Sequence, residues 1–164
     1  MSQAVAVSLM VELKYLRAVF VLGGCPGRGG YVRFSDISRV LEVAAPTVSI
    51  MVRKLEERGL LKVEPKVGVI LTWKGLETLA EHCWKRVILD TALEKLGVPE
   101  VDRRRFIEKV SVVIDVDAAR KLWDCLGRPG RCPRGLPIID INDKEKLVEW
   151  VKLCCENIEP SGGV

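Results

Sequence analysis

The residues best suited to chemistry in this sequence gather in residues 46–58, whose spacing is that of an amphipathic helix. Val48, Val52 and Leu55 recur at intervals of four and three residues and predict one buried stripe. The opposite side then carries two hydroxyls, an apolar side chain and two basic residues: Thr47, Ser49, Ile50, Arg53 and Lys54. Short hydroxyls can approach bases or phosphates, basic side chains reach guanine or phosphate, and an apolar side chain suits the thymine methyl group. The pattern predicts a helix that enters the major groove of double-stranded DNA.

A predicted β-hairpin follows this helix. The runs "LLKVEP" and "GVILT" are rich in β-forming residues and are joined by Lys66, Val67 and Gly68. Lys62 and Lys66 would lie where such a hairpin meets DNA phosphates. Ser35 is predicted to cap the helix that comes before residues 46–58 and to contribute to the same DNA surface.

Two other interpretations of this surface stay open. The first is a solvated helix face with stray hydrophobic residues, which are common on protein surfaces. The second is a winged helix that contacts another protein inside a larger assembly. That second interpretation predicts no salt-dependent binding to DNA.

The elements that position these residues follow the order of a winged helix-turn-helix. An apolar first helix is expected over residues 5–22, with one face toward its own domain and another toward a second subunit. A short strand is expected at residues 31–33, then a helix that buries Ile37, Val40 and Leu41. Pro46 is acceptable in the first turn of the third helix, and Gly59 closes it. We assign residues 5–75 to this DNA-binding domain.

Residues 76–158 are predicted to form an all-helical dimerisation domain, so the fold class is mainly α. Thr72 is expected to cap a long helix that Gly97 stops, and Asp115 to cap a later one. A final amphipathic helix begins at Asp143. Three tryptophans spread along this half suggest more aromatic surface than one small helical domain needs to bury, which favours a homodimer: Trp84, Trp123 and Trp150.

Composition and charge indicate an ordinary soluble protein with an anionic partner. The chain has 164 residues, of which 48% are hydrophobic and 29% charged. The net charge is +4, and all of the excess lies in residues 1–80, because the remaining half balances. Glu12, Lys14 and Arg17 interrupt the apolar start, so no membrane span or membrane partner is expected. We expect a cytoplasmic location, and the scarcity of glutamine and asparagine suggests a thermophilic source.

The six cysteines leave a redox role open. No pair has CxxC spacing, so a structural zinc site is not expected. Cys125 and Cys132 bracket a loop and could close a disulfide, which would make the protein a redox-responsive regulator. Cys154 and Cys155 could pair with a cysteine elsewhere or across the dimer. The alternative is that the cysteines are buried thiols without a redox role.

Four segments in order resemble the diphtheria-toxin-repressor/manganese-regulator (DtxR/MntR) family of dimeric, metal-responsive transcriptional repressors. These segments are "KYLRAVFVL", "APTVSIMVRKLEERGLL", "LTWKG" and "CPRGLPI" after "DVDAARKLWDCL". The resemblance implies a DNA-binding domain followed by a helical dimerisation domain, and a homodimer on a palindromic operator. For a chain of this length the resemblance implies no third, SH3-like domain.

The metal site implied by the resemblance is largely missing. Its ligand positions fall at Lys14, Glu108, Ser111 and Val112. A lysine ammonium repels a divalent cation, valine cannot ligate, and serine is a poor ligand. A secondary site near Lys85 and Leu89 is no better supplied, and His82 and Cys83 point in different directions on one helix. We therefore expect no cofactor and no use of the family's metal switch, although a divalent metal elsewhere stays open. Lys14 paired with Glu108 would replace the cation.

An enzymatic role is not expected. The single histidine, His82, belongs to no recognisable catalytic arrangement, and the sequence has neither a phosphate-binding loop nor a dinucleotide fingerprint.

Overall fold

The computed structural model describes residues 3–157, and most of the chain is helical, as the sequence predicts. The described residues divide into two compact units, residues 7–79 and residues 80–157 together with 3–6. The last residue of the predicted second domain, 158, lies outside the described residues. Among those described, no helix is long and apolar enough to cross a membrane.

The first unit has the predicted order of a winged helix-turn-helix. It contains α1 (Gln3–Val21) from residue 7 onward, followed by α2 (Phe34–Leu41) and α3 (Ala45–Glu57). The hairpin of β1 (Leu61–Glu64) and β2 (Gly68–Leu71) follows, and the first residues of α4 (Trp73–Lys95) complete the unit. Each of the three helices α1, α2 and α3 contributes apolar residues to one core. These residues include Leu16, Val19, Ile37, Val52 and Leu55.

One residue of the short strand expected before α2 pairs with the hairpin. β1 pairs with β2 in antiparallel register, with Leu61 opposite Leu71. Val32 forms an isolated bridge to Val69, with their two backbone hydrogen bonds at 2.8 and 2.9 Å. Gly68 permits this approach, because a Cβ atom there would lie 2.5 Å from the Val32 carbonyl oxygen. The strand predicted at residues 31–33 is therefore a single bridge.

The prediction that Ser35 caps α2 is wrong. The helix begins at Phe34 with Arg33 in the capping position, and no side chain there accepts a capping hydrogen bond. The backbone N–H groups of Asp36 and Ile37 bond to the Arg33 carbonyl instead, so Ser35 lies within the first turn. The inward prediction holds for Ile37, which is fully buried, but fails for Val40, which is 51% exposed, and Leu41 is half-buried.

The second unit contains four helices and a structured loop. They are the remainder of α4, α5 (Glu100–Val110), α6 (Val116–Cys125) and α7 (Lys144–Asn157). Both predicted caps are confirmed: the Thr72 hydroxyl accepts from the Gly75 N–H at 3.0 Å, and Asp115 accepts from the Ala118 N–H at 2.6 Å. Each stabilises its helix by satisfying an N–H that has no partner within the helix.

The tryptophans of this unit anchor the loop between α6 and α7. The Trp84 indole N–H donates to the Ile139 carbonyl at 2.9 Å, and that of Trp150 donates to the Pro137 carbonyl at 2.6 Å. Trp84 also packs edge-to-face on Trp123 at 5.6 Å. Trp84 and Trp150 are buried within a single chain. Their number therefore does not argue for a dimer interface, contrary to the inference from sequence.

Candidate nucleic-acid interface

The helix predicted to read DNA, α3, has the buried stripe that its sequence specifies. It begins at Ala45 with Pro46 in the first turn and ends at Glu57, with Gly59 in a left-handed conformation just beyond. Val48, Val52 and Leu55 are all fully buried. The stripe fixes the rotation of the helix about its axis and so determines which residues face away from the core.

Three of the predicted contact residues share the exposed face of α3. Thr47, Ile50 and Arg53 are spaced three residues apart and all are exposed. Ile50 is 71% exposed and so presents an apolar side chain to solvent at the middle of this face. Among the described residues, Arg53 has no hydrogen-bond or ion-pair partner. Ser49 is half-buried at the side of this face. The face combines a hydroxyl, an apolar surface and a guanidinium without an internal partner.

Lys54 forms an ion pair with another helix of the same chain, which its sequence position did not indicate. Its ammonium nitrogen lies 3.0 Å from the Oε1 atom of Glu12 and 3.4 Å from the Ser8 hydroxyl, both in α1. The Lys54 side chain remains about half exposed, at 47%. Lys54 therefore pairs with α1 while it stays on the exposed side of α3, four residues after Ile50.

Glu12 is the residue that sequence reasoning missed. It is only 5% exposed and accepts hydrogen bonds from Lys54 and from Arg58, the residue that follows α3. Burial alone would raise the pKa of its carboxyl, but these two bonds outweigh burial and hold the pKa below its ordinary value of 4.5. The sequence signal was a single carboxylate in a mainly apolar helix whose other charged residues, Lys14 and Arg17, are basic. Glu12 connects α1 to the last turn of α3.

The wing is attached directly to α3. The Val63 N–H in β1 donates to the Glu56 carboxylate at 2.8 Å. The Nζ atom of Lys62 lies 3.8 Å from the Oε2 atom of Glu64 on the same strand. Lys66 is exposed in the turn and has a φ of 63°. The hairpin that carries two of the predicted phosphate contacts is therefore tied to α3 by a hydrogen bond. Ser35 is exposed in the first turn of α2.

The positions implied as metal ligands do not offer a suitable donor set. Lys14 is exposed and cationic, Val112 is buried and apolar, and only Glu108 carries a carboxylate. The Ser111 hydroxyl is buried and, within the described residues, has no hydrogen-bond partner. Within residues 3–157, no three His, Cys, Asp or Glu side chains gather where a metal ion could be held. The proposed pairing of Lys14 with Glu108 stays a prediction.

All six cysteines lie within the described part of the chain and are reduced thiols. Cys125 is exposed and Cys132 is buried, and the structure does not join them. Instead, the thiols of Cys83 and Cys155 share a hydrogen bond, and this bond together with burial raises the pKa of Cys83. Burial also raises the pKa of Cys154. Such thiols carry little of the reactive thiolate, which favours a structural role for them.

Comparison with known proteins connects this geometry to a family. Residues 11–69 match the family described as "Iron dependent repressor, N-terminal DNA binding domain". An uncharacterized HTH-type transcriptional regulator from Aeropyrum pernix is 38% identical over 144 residues, which cover 87% of this chain and 79% of the relative. The HTH-type transcriptional regulator MntR of Shouchella clausii is 30% identical over 95 residues, covering 58% of this chain and 66% of MntR.

A solved structure shares this fold. The crystal structure of the hypothetical protein SSo2273 from Sulfolobus solfataricus matches with a TM-score of 0.71 and 25% sequence identity. The match covers 79% of this chain and 98% of that protein. The likeness therefore extends beyond the segment matched by the family of DNA-binding domains.

Proposed function

Because this chain belongs to the DtxR/MntR family of DNA-binding transcriptional regulators and not to a family of enzymes, we propose that it is a repressor-like homodimer that reads a palindromic operator with α3. The observation that carries this proposal is the outward face of Thr47, Ile50 and Arg53, directly opposite a fully buried stripe. A face of this composition is suited to a major groove, because it offers contacts to phosphate, guanine and the thymine methyl group.

The wing supplies the second set of contacts in this proposal. Lys66 in the turn and Lys62 on β1 would bind phosphates beside the groove that α3 occupies. These contacts position the protein without reading sequence, and they make affinity dependent on salt. The hydrogen bond between Glu56 and Val63 supports a fixed spacing between both sets.

We also propose that DNA binding by this chain does not depend on the family's metal switch. Members of the family bind divalent metals. The ligand positions implied here carry a lysine, a serine and a valine beside one glutamate, and this donor set does not fit a divalent cation. A regulator with such a site would need another effector or would bind DNA constitutively.

Selection of bound duplexes from a random library tests the proposed function. A homodimer should enrich an inverted repeat whose half-sites are about 10 base pairs apart, or a multiple of that spacing. Failure to enrich any sequence, combined with absence of salt-dependent binding to bulk DNA, would assign the winged helix to protein contacts. Sedimentation at micromolar concentration provides the parallel test of the homodimer, which a monomer would contradict.

A further inference from the structure

The residue before α2, Arg33, is joined to the small sheet that forms the wing. Val32 bridges to Val69 through two backbone hydrogen bonds of 2.8 and 2.9 Å. In this antiparallel register Arg33 lies opposite Gly68, the residue that directly follows the turn of the hairpin. The approach is close, because a Cβ atom at Gly68 would lie 2.5 Å from the Val32 carbonyl oxygen. Arg33 is therefore placed beside the turn that carries Lys66.

The side chain of Arg33 faces outward from this sheet. Successive side chains of an extended segment point to opposite faces, and the preceding residue, Val32, is only 3% exposed and belongs to the core. Arg33 itself is exposed and has an extended backbone, with φ −74° and ψ 144°. Lys62 is exposed on the same outward face, because it follows the buried Leu61 along β1. The outward face therefore carries two basic side chains, with Lys66 in the adjoining turn.

The acidic residues nearest to Arg33 in register and in sequence are paired with other cations. The Oε2 atom of Glu64 in β1 lies 3.8 Å from the Nζ atom of Lys62. The Oδ1 atom of Asp36, in the first turn of α2, lies 3.4 Å from the Nη1 atom of Arg39. Within residues 3–157, the guanidinium of Arg33 has no hydrogen-bond or ion-pair partner. Its charge is therefore not compensated by a direct contact in this part of the chain.

The backbone of Arg33 is held on both sides. The hydrogen bonds between Val32 and Val69 fix the residue before it. Its own carbonyl accepts from the N–H groups of Asp36 at 3.0 Å and Ile37 at 3.3 Å. Binding through such a residue costs little additional order, because only the side chain has to be immobilised.

We propose that Arg33 binds a phosphate of the DNA backbone and so extends the wing contacts of Lys62 and Lys66 onto the segment before α2. This inference rests on the proposed function. In a helix-turn-helix the first helix crosses the DNA backbone while the second enters the major groove, and α2 and α3 are these two helices here. A guanidinium binds phosphate through paired hydrogen bonds. The contact strengthens binding to every duplex without reading its sequence.

The salt dependence of DNA binding by the full chain tests this contact. For a random duplex, Arg33→Gln should reduce the slope of log K against log salt by roughly one unit, because one phosphate contact is lost. One unit corresponds to about a tenfold loss of affinity at about 0.1 M salt, and the difference should shrink as the salt concentration rises. Arg33→Lys keeps the charge but not the paired hydrogen bonds, so it should retain the slope while binding more weakly.

The matched control is Arg105→Gln, which removes the same charge from an exposed residue of α5, outside the unit that contains α3 and the wing. Because the Arg33 side chain is exposed, its replacement is compatible with folding, which circular dichroism verifies. If the unmodified chain shows no salt-dependent binding, the proposed function fails and this inference fails with it. If the unmodified chain binds DNA but Arg33→Gln matches Arg105→Gln in slope and affinity, the proposed function stands and the role of Arg33 is overturned.

Discussion

The ammonium nitrogen of Lys54 lies 3.0 Å from the buried carboxylate of Glu12, so a cation of α3, the helix proposed to read DNA, is held by the first helix of the same chain. Arg58, just beyond α3, binds the other oxygen of that carboxylate. The free protein therefore orders two basic side chains that would otherwise be available to DNA. Glu12 stabilises the attachment of α3, and if α3 binds DNA as proposed it would compete with phosphate for Lys54.

Replacing Glu12 should separate these two effects. Glu12→Gln should lower the free energy of unfolding by about 1–3 kcal/mol, because charged hydrogen bonds to two half-exposed partners are lost. It should also strengthen binding to random duplexes and steepen the salt dependence by roughly one unit of slope per released cation. Chemical denaturation and fluorescence anisotropy across a salt series measure the two quantities. Glu42→Gln is the control, since it makes the same charge change at an exposed residue. Equal DNA binding by both variants would refute the competition.

The same carboxylate gives this stabilisation a defined pH dependence. The pKa of Glu12 is lower in the folded protein than the ordinary value of 4.5. The stabilisation is therefore fully present above pH 4.5 and is lost as the pH falls through the folded pKa. In Glu12→Gln, unfolding measured below pH 4.5 should depend less on pH than it does in the unmodified chain.

The exposed face of α3 should separate general affinity from sequence preference. Arg53→Ala should weaken binding to every duplex and reduce the salt slope by roughly one unit per contact. Ile50→Ala should leave that slope unchanged and reduce the preference for a thymine-containing site by about 1–3 kcal/mol per position. Binding of each variant to selected and random duplexes, across a salt series, provides the comparison. If neither variant changes binding to either duplex, α3 is not the reading helix.

Divalent metals should change DNA affinity by less than tenfold, a coupling below about 1.4 kcal/mol. The reason is that Lys14, Ser111 and Val112 stand at three of the implied ligand positions. None of them carries a carboxylate, imidazole or thiolate, the groups that usually bind such metals. Chelator-treated protein would be titrated with DNA in the presence of manganese, iron(II), nickel or zinc. A larger gain with any of them would place a functional metal elsewhere, with His82 and the cysteines as the first positions to replace.

His82 should make the stability of the helical unit depend on pH over a wider range than Glu12 does, because its pKa is shifted further. Burial, followed by the charges of Arg86 and Lys85, lowers the pKa of its imidazole from 6.5 to about 3. The unfolded chain therefore binds a proton that the folded chain rejects, and stability should fall by about 1.4 kcal/mol per pH unit below the unfolded pKa. This loss should level off below pH 3.

Tryptophan fluorescence during denaturation between pH 7 and pH 4 tests this expectation, because Trp84 and Trp150 are buried in the same unit. The variant His82→Gln cannot take up the proton and should lack that part of the pH dependence. A slope that is the same in both proteins would assign the acid sensitivity to other groups.

The sequence was sufficient where one periodic pattern determined one element. The spacing of Val48, Val52 and Leu55 predicted the buried side of α3, and Thr72 and Asp115 marked two helix starts. It was insufficient where a distant partner decided the outcome. Lys54 does lie on the exposed side of α3, but nothing local reveals that Glu12, 42 residues earlier, would engage it.

The start of α2 and the tryptophans illustrate the same limit. A serine near a helix start is a good cap on local grounds, and Ser35 was predicted to be one. In the structure Val32 pairs with Val69, and the helix starts directly afterwards with Arg33 in the capping position and no side-chain capping bond. Trp84 and Trp150 suggested an interface by their number, yet the loop before α7 covers them and accepts their N–H groups. In each case a tertiary contact overrides a correct local preference.

The bridge between Val32 and Val69 also affects how the wing opens. Each residue donates its amide proton to the other's carbonyl, so breaking one bond leaves the second without its supporting geometry. These two amide protons should exchange with solvent together and slowly, while that of Lys66 in the turn exchanges fast. The turn end of β2 and the segment before α2 should therefore open as one cooperative unit, which would leave the turn at residues 65–67 to adapt its shape to DNA.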